Sequence, residues 1–101
     1  KEITSINEFS QETEGQDLVI IDFYAQWCGP CKMLMPLLEK VTTELGIKAI
    51  KVNVEEHQDL SSNFGIMSVP TVIVMKDGEI ADKMLGFQPK EKIKEFIQKH
   101  L

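Results

Sequence analysis

The segment Trp27-Cys28-Gly29-Pro30-Cys31 contains both cysteines and the only tryptophan of the chain. It follows LVIIDFYA, Leu18 to Ala25, which is apolar on both alternating faces and therefore predicts an interior β-strand covered on both sides. The residues after it carry apolar side chains at helical spacing as far as Leu45, and Gly46 is expected to end this helix. The two cysteines are therefore predicted at the point where a buried strand passes into a helix.

The rest of the chain predicts a mixed β-sheet with helices on both faces. Strands are expected at 3–6, 18–25, 47–54, 71–76 and 79–85, and helices at 5–14, 28–45, 57–64 and from Pro89 onward. Strand–helix–strand units favour parallel pairing, whereas the turn signal Asp77-Gly78 adds an antiparallel hairpin. The apolar stripe of the last helix is expected to consist of Ile93, Phe96, Ile97 and Leu101.

Length and composition exclude several classes of function. A chain of 101 residues suits one domain, covering residues 1–101, which can form a core without staples. A net charge of −5 argues against nucleic acid and anionic membranes as partners. No apolar run is long enough to span a membrane, no glycine pattern indicates a nucleotide site, and no signal peptide is visible, so the predicted location is cytoplasmic.

The two cysteines could form a structural staple or bind a metal. A disulfide across so small a ring stabilises a fold by roughly 2 kcal/mol, against about 4.7 kcal/mol for a hundred-residue loop, which is a poor use of the only possible disulfide. Structural zinc requires four nitrogen or sulfur ligands, and only His57 and His100 could join the thiols. Both histidines are expected to be solvated and they lie far apart in sequence, so no metal is predicted, although a dimer sharing one metal is left open.

Redox exchange is the third interpretation, and it uses both thiols. Residues i and i+3 at a helix start lie close enough for a disulfide, and the N-terminal N–H groups and partial positive charge favour the nucleophilic thiolate. We therefore expect Cys28, nearer the helix end, to attack a partner disulfide, and the less exposed Cys31 to resolve the mixed disulfide. Lys32 adds a nearby cation, Pro30 stiffens the loop, and Gly29 lets a partner backbone approach.

The segment DFYAQWCGPCKMLMP, Asp22 to Pro36, resembles the active-site segment of the thioredoxin family, and Val69-Pro70-Thr71 resembles that family's second signature. Because the order of elements also matches, the resemblance covers essentially the whole chain. It implies an α/β thioredoxin fold, in which a central mixed five-stranded β-sheet is flanked by four α-helices. Gly29 and Pro30 resemble the reducing branch of the family, since oxidising and isomerising relatives usually carry a histidine there.

The resemblance also implies a surface that binds substrate. It implies a cis peptide bond before Pro70, which would lie beside the disulfide. An extended client segment is expected to lie across Trp27, Gly29, Pro30, Val69, Pro70, Gly86 and Phe87. Tyr24 departs from the family, in which tryptophan is more familiar, and Phe87 stands where a small residue often follows the glycine.

Asp22 lies in the most apolar strand and has two interpretations. It is either a strand-end carboxylate that reaches water, or a desolvated carboxyl with a raised pKa that accepts the proton of Cys31. The resemblance places Asp22 and Lys51 at matching catalytic positions and favours the second interpretation. We expect desolvation to outweigh the opposing effect of the Lys51 cation on the pKa of Asp22.

The predicted function is that of a protein thiol–disulfide oxidoreductase, a general cytoplasmic reductant and electron donor that reduces disulfides in client proteins. The cysteine pair is itself the redox centre, so no cofactor and no metal are implied. The implied partners are disulfide-containing clients and a flavin- and NADPH-dependent reductase, and the protein is expected to be a monomer. Two alternatives stay open: a docking subunit that keeps the fold without needing the thiols, and an oxidase or isomerase in an oxidising compartment.

Overall fold

The computed structural model describes residues 1–101 and contains four helices and four strands. In chain order these are α1 Ile6–Thr13, β1 Leu18–Tyr24, α2 Gly29–Leu45, β2 Lys48–Asn53, α3 Gln58–Asn63, β3 Thr71–Lys76, β4 Glu79–Leu85 and α4 Lys90–Gln98. The strand order across the sheet is β2-β1-β3-β4, in which β1 and β2 are parallel and the other two pairs are antiparallel. The predicted mixed sheet with an interior β1 is therefore confirmed.

The prediction of a fifth strand at residues 3–6 is wrong. The chain instead makes one isolated parallel bridge, between Glu2 and Lys51. In this bridge the Ile3 N–H donates to the Lys51 carbonyl at 2.9 Å, and the Lys51 N–H donates to the Lys1 carbonyl at 2.8 Å. The segment therefore touches the edge of the sheet at β2 without extending it.

The early start of α1 explains why no strand forms at residues 3–6. Ser5 is the N-cap of α1, and its Oγ accepts the N–H of Glu8 at 3.1 Å. The predicted cap therefore forms, and it starts the helix only four residues after the bridge residue Glu2. A helix cap and a strand compete for the same residues here, and the cap prevails.

Alternation along β1 produces two cores, one on each face of the sheet. Ile21 and Phe23 pack on the face that α1 and α3 cover, together with Phe9 of α1 and Leu60 of α3. The opposite face, covered by α2 and α4, contains Ile20, Leu34, Leu38, Val41, Val72, Val74, Ile93, Phe96 and Ile97. Asp22 and Tyr24, which share the parity of Ile20, therefore lie on the α2 side of β1.

The end of α4 differs from the predicted stripe. Ile93, Phe96 and Ile97 are buried as expected, but Leu101 is 66% exposed because the helix ends at Gln98. Pro89 occupies the N-cap of α4 and precedes the first helical residue. None of the helices combines the length and hydropathy that a membrane-spanning segment requires.

Candidate active site

Cys28 and Cys31 are joined by a disulfide at the N-terminus of α2, with their Cα atoms 5.3 Å apart. Cys28 is the N-cap of this helix, and its Sγ accepts the N–H of Cys31 at 3.2 Å. Both residues are almost fully covered, with exposed fractions of 3% for Cys28 and 0% for Cys31. Of the two residues, only Cys28 retains any exposed surface.

The capping geometry favours ionisation of Cys28 once the disulfide is reduced. A thiolate at this N-cap can accept a hydrogen bond from the Cys31 N–H, and it lies in the positive field of the helix end. Both interactions stabilise the anion more than the neutral thiol, so they lower the free energy of forming the nucleophile.

A second loop, Val69 to Thr71, completes the surroundings of the disulfide. The Val69-Pro70 peptide bond is cis, as the family resemblance implied. Val69 packs against the buried cluster of Ala25, Cys28 and Cys31. The N–H of Gly86 donates to the Pro70 carbonyl at 2.9 Å, so the end of β4 is tied to the same loop.

Exposed apolar side chains surround this otherwise covered disulfide. Trp27 is 71% exposed and Phe87 is 37% exposed, and Gly29 and Pro30 lie exposed in the first turn of α2. Met67, the one methionine for which the sequence leaves open a place on a binding surface instead of in the core, is 96% exposed two residues before Val69. Exposed apolar surface around a reactive pair is typical of a protein-binding site.

Asp22 is a buried carboxyl without a hydrogen-bond partner in the protein. Its exposed fraction is 1%, and no protein group hydrogen-bonds to either carboxyl oxygen. Burial raises the pKa of Asp22 to about 7, because the charged form is disfavoured away from water. The Lys51 cation opposes this shift and the Glu2 carboxylate adds to it, so the expected dominance of desolvation is confirmed.

Asp22 lines a cavity of about 320 Å³ on the α2 side of the sheet. Lys51 stands in register with Asp22 on the neighbouring strand β2 and forms part of the cavity wall. Met35 of α2 also lines the cavity, and it lies one helical turn beyond Cys31 on the same face of the helix. The wall of the cavity therefore comes within one helical turn of Cys31 along α2.

The two histidines do not lie with the cysteines, and both are half-buried, so the expectation that they are solvated is confirmed only in part. The His57 Nε2 lies 3.0 Å from the Ile3 carbonyl, and the His100 Nε2 lies 2.9 Å from Asp82 Oδ2. No group of three or more histidine, cysteine, aspartate or glutamate side chains could hold a metal ion.

A disulfide that closes on its own helix cap, with a desolvated carboxyl on the α2 side of the preceding strand, is suited to thiol–disulfide exchange. A family model described as Thioredoxin matches residues 2–99. The thioredoxin of Bacillus subtilis is 46% identical over 95 residues, which cover 92% of this chain and 90% of the relative. The thioredoxin of Listeria monocytogenes is 44% identical over 103 residues and covers 100% of this chain and 98% of its own.

A solved structure of Plasmodium falciparum thioredoxin superposes on the chain with a TM-score of 0.91 at 37% identity, covering 100% of this chain and 99% of that one. The chain belongs to the thioredoxin family. Its Cys28–Cys31 pair makes it a thiol–disulfide oxidoreductase of the protein-disulfide reductase type. Members of this family act on disulfide-containing substrates and interact with a thioredoxin reductase.

One contact close to the site has no local signal in the sequence. The Tyr24 hydroxyl donates to Glu2 Oε1 at 2.6 Å, across 22 residues of sequence. The departure at Tyr24 was visible in the sequence, but its partner was not, because Glu2 was assigned to no element. The two-residue bridge at β2 is what brings Glu2 to this face of the sheet.

Proposed function

We propose that the chain reduces disulfides of client proteins by attack of Cys28 followed by resolution by Cys31. The Cys28 thiolate attacks one sulfur of the client disulfide, and the other client sulfur leaves as a thiolate. The Cys31 thiolate then attacks Cys28 Sγ, which forms the intramolecular disulfide and releases the second client thiolate. The observation that best supports this proposal is that Cys28 Sγ caps α2 and accepts the Cys31 N–H.

Asp22 is proposed as the proton acceptor for Cys31 in the second step. A carboxylate whose conjugate acid has a pKa of about 7 is a stronger base than an ordinary aspartate and is still partly ionised near neutrality. Its cavity provides a route by which the proton can leave again. Lys51 is proposed to moderate this basicity, because its cation favours the ionised form of Asp22.

An extended client segment is proposed to bind across the exposed rim of the disulfide. Backbone groups at Val69 would pair with this segment as an added strand, a common mode of peptide recognition. The rest of the proposed surface consists of Trp27, Gly29, Pro30, Pro70, Gly86 and Phe87. Exposure of the two aromatic side chains and the Gly86 to Pro70 hydrogen bond support this arrangement.

The proposal also covers the oligomeric state of the protein, its location and the reductase that recycles it. The chain is proposed to act as a single-domain monomer in the cytoplasm and to be recycled by a flavin- and NADPH-dependent reductase. Reduction of a protein disulfide substrate by catalytic amounts of the protein, with NADPH consumed through such a reductase, tests this setting. Absence of turnover with an active reductase present would contradict it.

Trapping experiments test the assignment of the two cysteines. The variant C31S can attack but cannot resolve, so it is expected to accumulate mixed disulfides with client proteins that a small dithiol releases. The matched variant C28S retains a single buried thiol and is expected to trap none. Equal trapping by the two variants would overturn the assignment.

A further inference from the structure

Four polar side chains lie on the face of the sheet that α2 covers. Asp22 and Tyr24 are two residues apart on β1 and therefore point to the same face. Lys51 is in register with Asp22 on β2, and Glu2 forms its bridge with Lys51. Across the strands, Asp22 is therefore followed by Lys51 and then by Glu2. Tyr24 lies on β1 itself, two residues closer than Asp22 to the cysteines in the chain.

Glu2 is fixed in this position by both backbone and side chain. The bridge hydrogen bonds at Ile3 and Lys51 hold its backbone, and Ile3 is itself buried in the opposite core. The 2.6 Å distance from the Tyr24 hydroxyl to Glu2 Oε1 is in the range typical of an O–H donor to an ionised carboxylate. Burial and then Glu2 raise the pKa of Tyr24, so the phenol keeps its proton and remains a donor.

The second oxygen of Glu2 is buried and has no protein partner. The same is true of both oxygens of Asp22, and these are the only buried side-chain polar atoms in the chain without one. Glu2 and Asp22 line one cavity, the cavity of about 320 Å³ described above. Two carboxyl groups with unsatisfied oxygens therefore line the same cavity.

The charged groups that face this space come from three elements. The N-terminal segment contributes Lys1 and Glu2, β2 contributes Lys51, and α2 contributes Glu39. The strand on the other side of β1 places the uncharged Val72 opposite Asp22. Glu39 and Glu2 are the two carboxylates that face Asp22 in this cavity. Glu39 is exposed, so its charge is screened by water, whereas Glu2 is partly buried and is held toward the cavity.

We propose that Glu2, held by the Tyr24 hydroxyl in the wall of the Asp22 cavity, is a positioning residue of the redox site that acts through Asp22. This role of Glu2 rests on the proposed role of Asp22 as proton acceptor for Cys31. Tyr24 also packs against the cluster of Ala25, Cys28 and Cys31, so one side chain lies against the cluster that contains the redox pair and holds the second carboxylate. Tyr24 stands where tryptophan is more familiar in the family, and its hydroxyl is the group that donates to Glu2.

The electrostatic effect of Glu2 is opposite to that of Lys51. A neighbouring negative charge makes a carboxyl hold its proton more strongly, whereas a neighbouring cation weakens its hold. Glu2 therefore partly offsets Lys51 and adds to the basicity that burial gives Asp22. The step remains balanced: Asp22 gains the proton of the thiol, Cys31 Sγ bonds to Cys28 Sγ, and the client sulfur leaves with the electron pair.

The variant E2Q tests the proposal, because glutamine keeps the size of the side chain and an oxygen that can accept the Tyr24 hydroxyl, while an uncharged NH2 group replaces the other oxygen. The measurement is the titration of the Asp22 carboxyl carbon by ¹³C NMR in the oxidised protein, with D22N used to assign the signal. We expect the midpoint in E2Q to fall by about half a pH unit, the size of a partly screened charge interaction across such a cavity. An unchanged midpoint would overturn the proposal.

Two further variants separate the proposal from simpler accounts. E39Q removes a cavity-lining charge of the same sign that is exposed, and it is expected to move the midpoint less than E2Q does. Y24F removes the hydroxyl that holds Glu2, and it is expected to move the midpoint in the same direction as E2Q. An E39Q shift as large as that of E2Q, or an unmoved midpoint in Y24F, would contradict the arrangement.

The titration does not depend on catalysis, so failure of the proposal can be told from failure of the proposed function. Disulfide reduction by the unaltered protein is measured in parallel. Normal reduction together with an unshifted Asp22 midpoint in E2Q would remove only the role of Glu2. A purely structural role of the Glu2–Tyr24 hydrogen bond would lower the unfolding free energy in Y24F without moving the Asp22 titration, and that result also counts against the proposal.

Discussion

Two aspartates on the same sheet have opposite surroundings. Asp22 on the interior strand β1 is 1% exposed and accepts no hydrogen bond from the protein. Asp82 on the edge strand β4 accepts the backbone N–H of Lys83 at 2.8 Å and lies 3.1 Å from the Lys99 ammonium. It also lies 2.9 Å from the His100 ring, so almost every bonding site of its carboxylate is used.

The two carboxyls accordingly shift in opposite directions. Burial raises the pKa of Asp22 to about 7, and Lys51 only partly offsets this effect. Burial also acts to raise the pKa of Asp82, but hydrogen bonds from His100, Lys83 and Lys99 outweigh it and hold the pKa below its usual range. A satisfied carboxylate thus stabilises the end of the fold, whereas the unsatisfied one costs stability and retains the capacity to exchange a proton.

The largest expected effect is on the stability cost of Asp22. Its folded pKa lies above its unfolded pKa, so folding is favoured at low pH and this advantage is lost as pH rises from about 4 through about 7. The shift from 3.8 to about 7 corresponds to a penalty of up to about 4 kcal/mol above neutrality. D22N should therefore raise the free energy of unfolding at pH 8 by up to that amount and by much less at pH 4.

Denaturant unfolding of D22N and of the unaltered protein at both pH values measures this difference. If the advantage of D22N were no greater at pH 8 than at pH 4, Asp22 would not be a desolvated carboxyl. The contrast with Asp82 would then disappear.

The next effect is kinetic and is expected only at Asp22. D22N should slow release of the mixed disulfide at pH 7 by about tenfold to a hundredfold, at or below the lower end of the range for a positioned proton acceptor. Initial attack by Cys28 should change less, because that step uses the helix-capping interactions. Stopped-flow measurement of both steps tests this, with D82N as the matched control that should leave both rates unchanged.

A smaller effect of opposite sign is expected for the stability of D82N. The folded pKa of Asp82 is lowered, so its ion pairs stabilise the protein above the unfolded pKa and lose this effect as pH falls through the folded pKa. Because these pairs are partly exposed, D82N should lower the free energy of unfolding by about 1 kcal/mol or less at pH 7. The loss should shrink toward pH 2, and a loss that is constant with pH would contradict the ion-pair account.

The smallest effect concerns client choice, at two apolar side chains near opposite ends of β4. Phe87 follows the end beside the cis-proline loop, whereas Ile80 is 49% exposed near the hairpin at the other end. F87A should change kcat/KM for different protein clients by about fivefold or less, as expected for one peripheral contact, and leave oxidation by a small disulfide unchanged. I80A should alter neither, and equal effects of the two variants would argue against docking at Phe87.

Local signals in the sequence predict most of the fold. The two-sided apolar character of β1 indicates an interior strand, and Asp77 and Gly78 both adopt the positive φ values, 53° and 82°, that a tight hairpin turn requires. Local signals also conflict at one place, because the capping residue Ser5 begins a helix where the preceding residues suggested a strand. At the C-terminus, Leu101 has helical spacing but lies beyond the last helical residue.

The site is predictable only where its parts are close in sequence or marked by a resemblance. The cysteine pair is local and favours a redox disulfide by itself, whereas the choice of a desolvated Asp22 with a raised pKa over a carboxylate that reaches water also needs the resemblance. The contact between Glu2 and Tyr24 depends on the bridge to β2, which no local pattern encodes. The same is true of the His100 contact with Asp82, which needs α4 to be docked against the sheet.

The pH dependence of mixed-disulfide release is the most direct test of the central claim, which is that Asp22 is an unsatisfied buried carboxyl that accepts the Cys31 proton. The rate should rise with pH through a midpoint near 7 in the unaltered protein, because the ionised carboxyl is the active form. D82N should show the same profile, whereas D22N should lack this midpoint and depend only on ionisation of the thiol. An identical midpoint near 7 in D22N would show that Asp22 does not carry the proton.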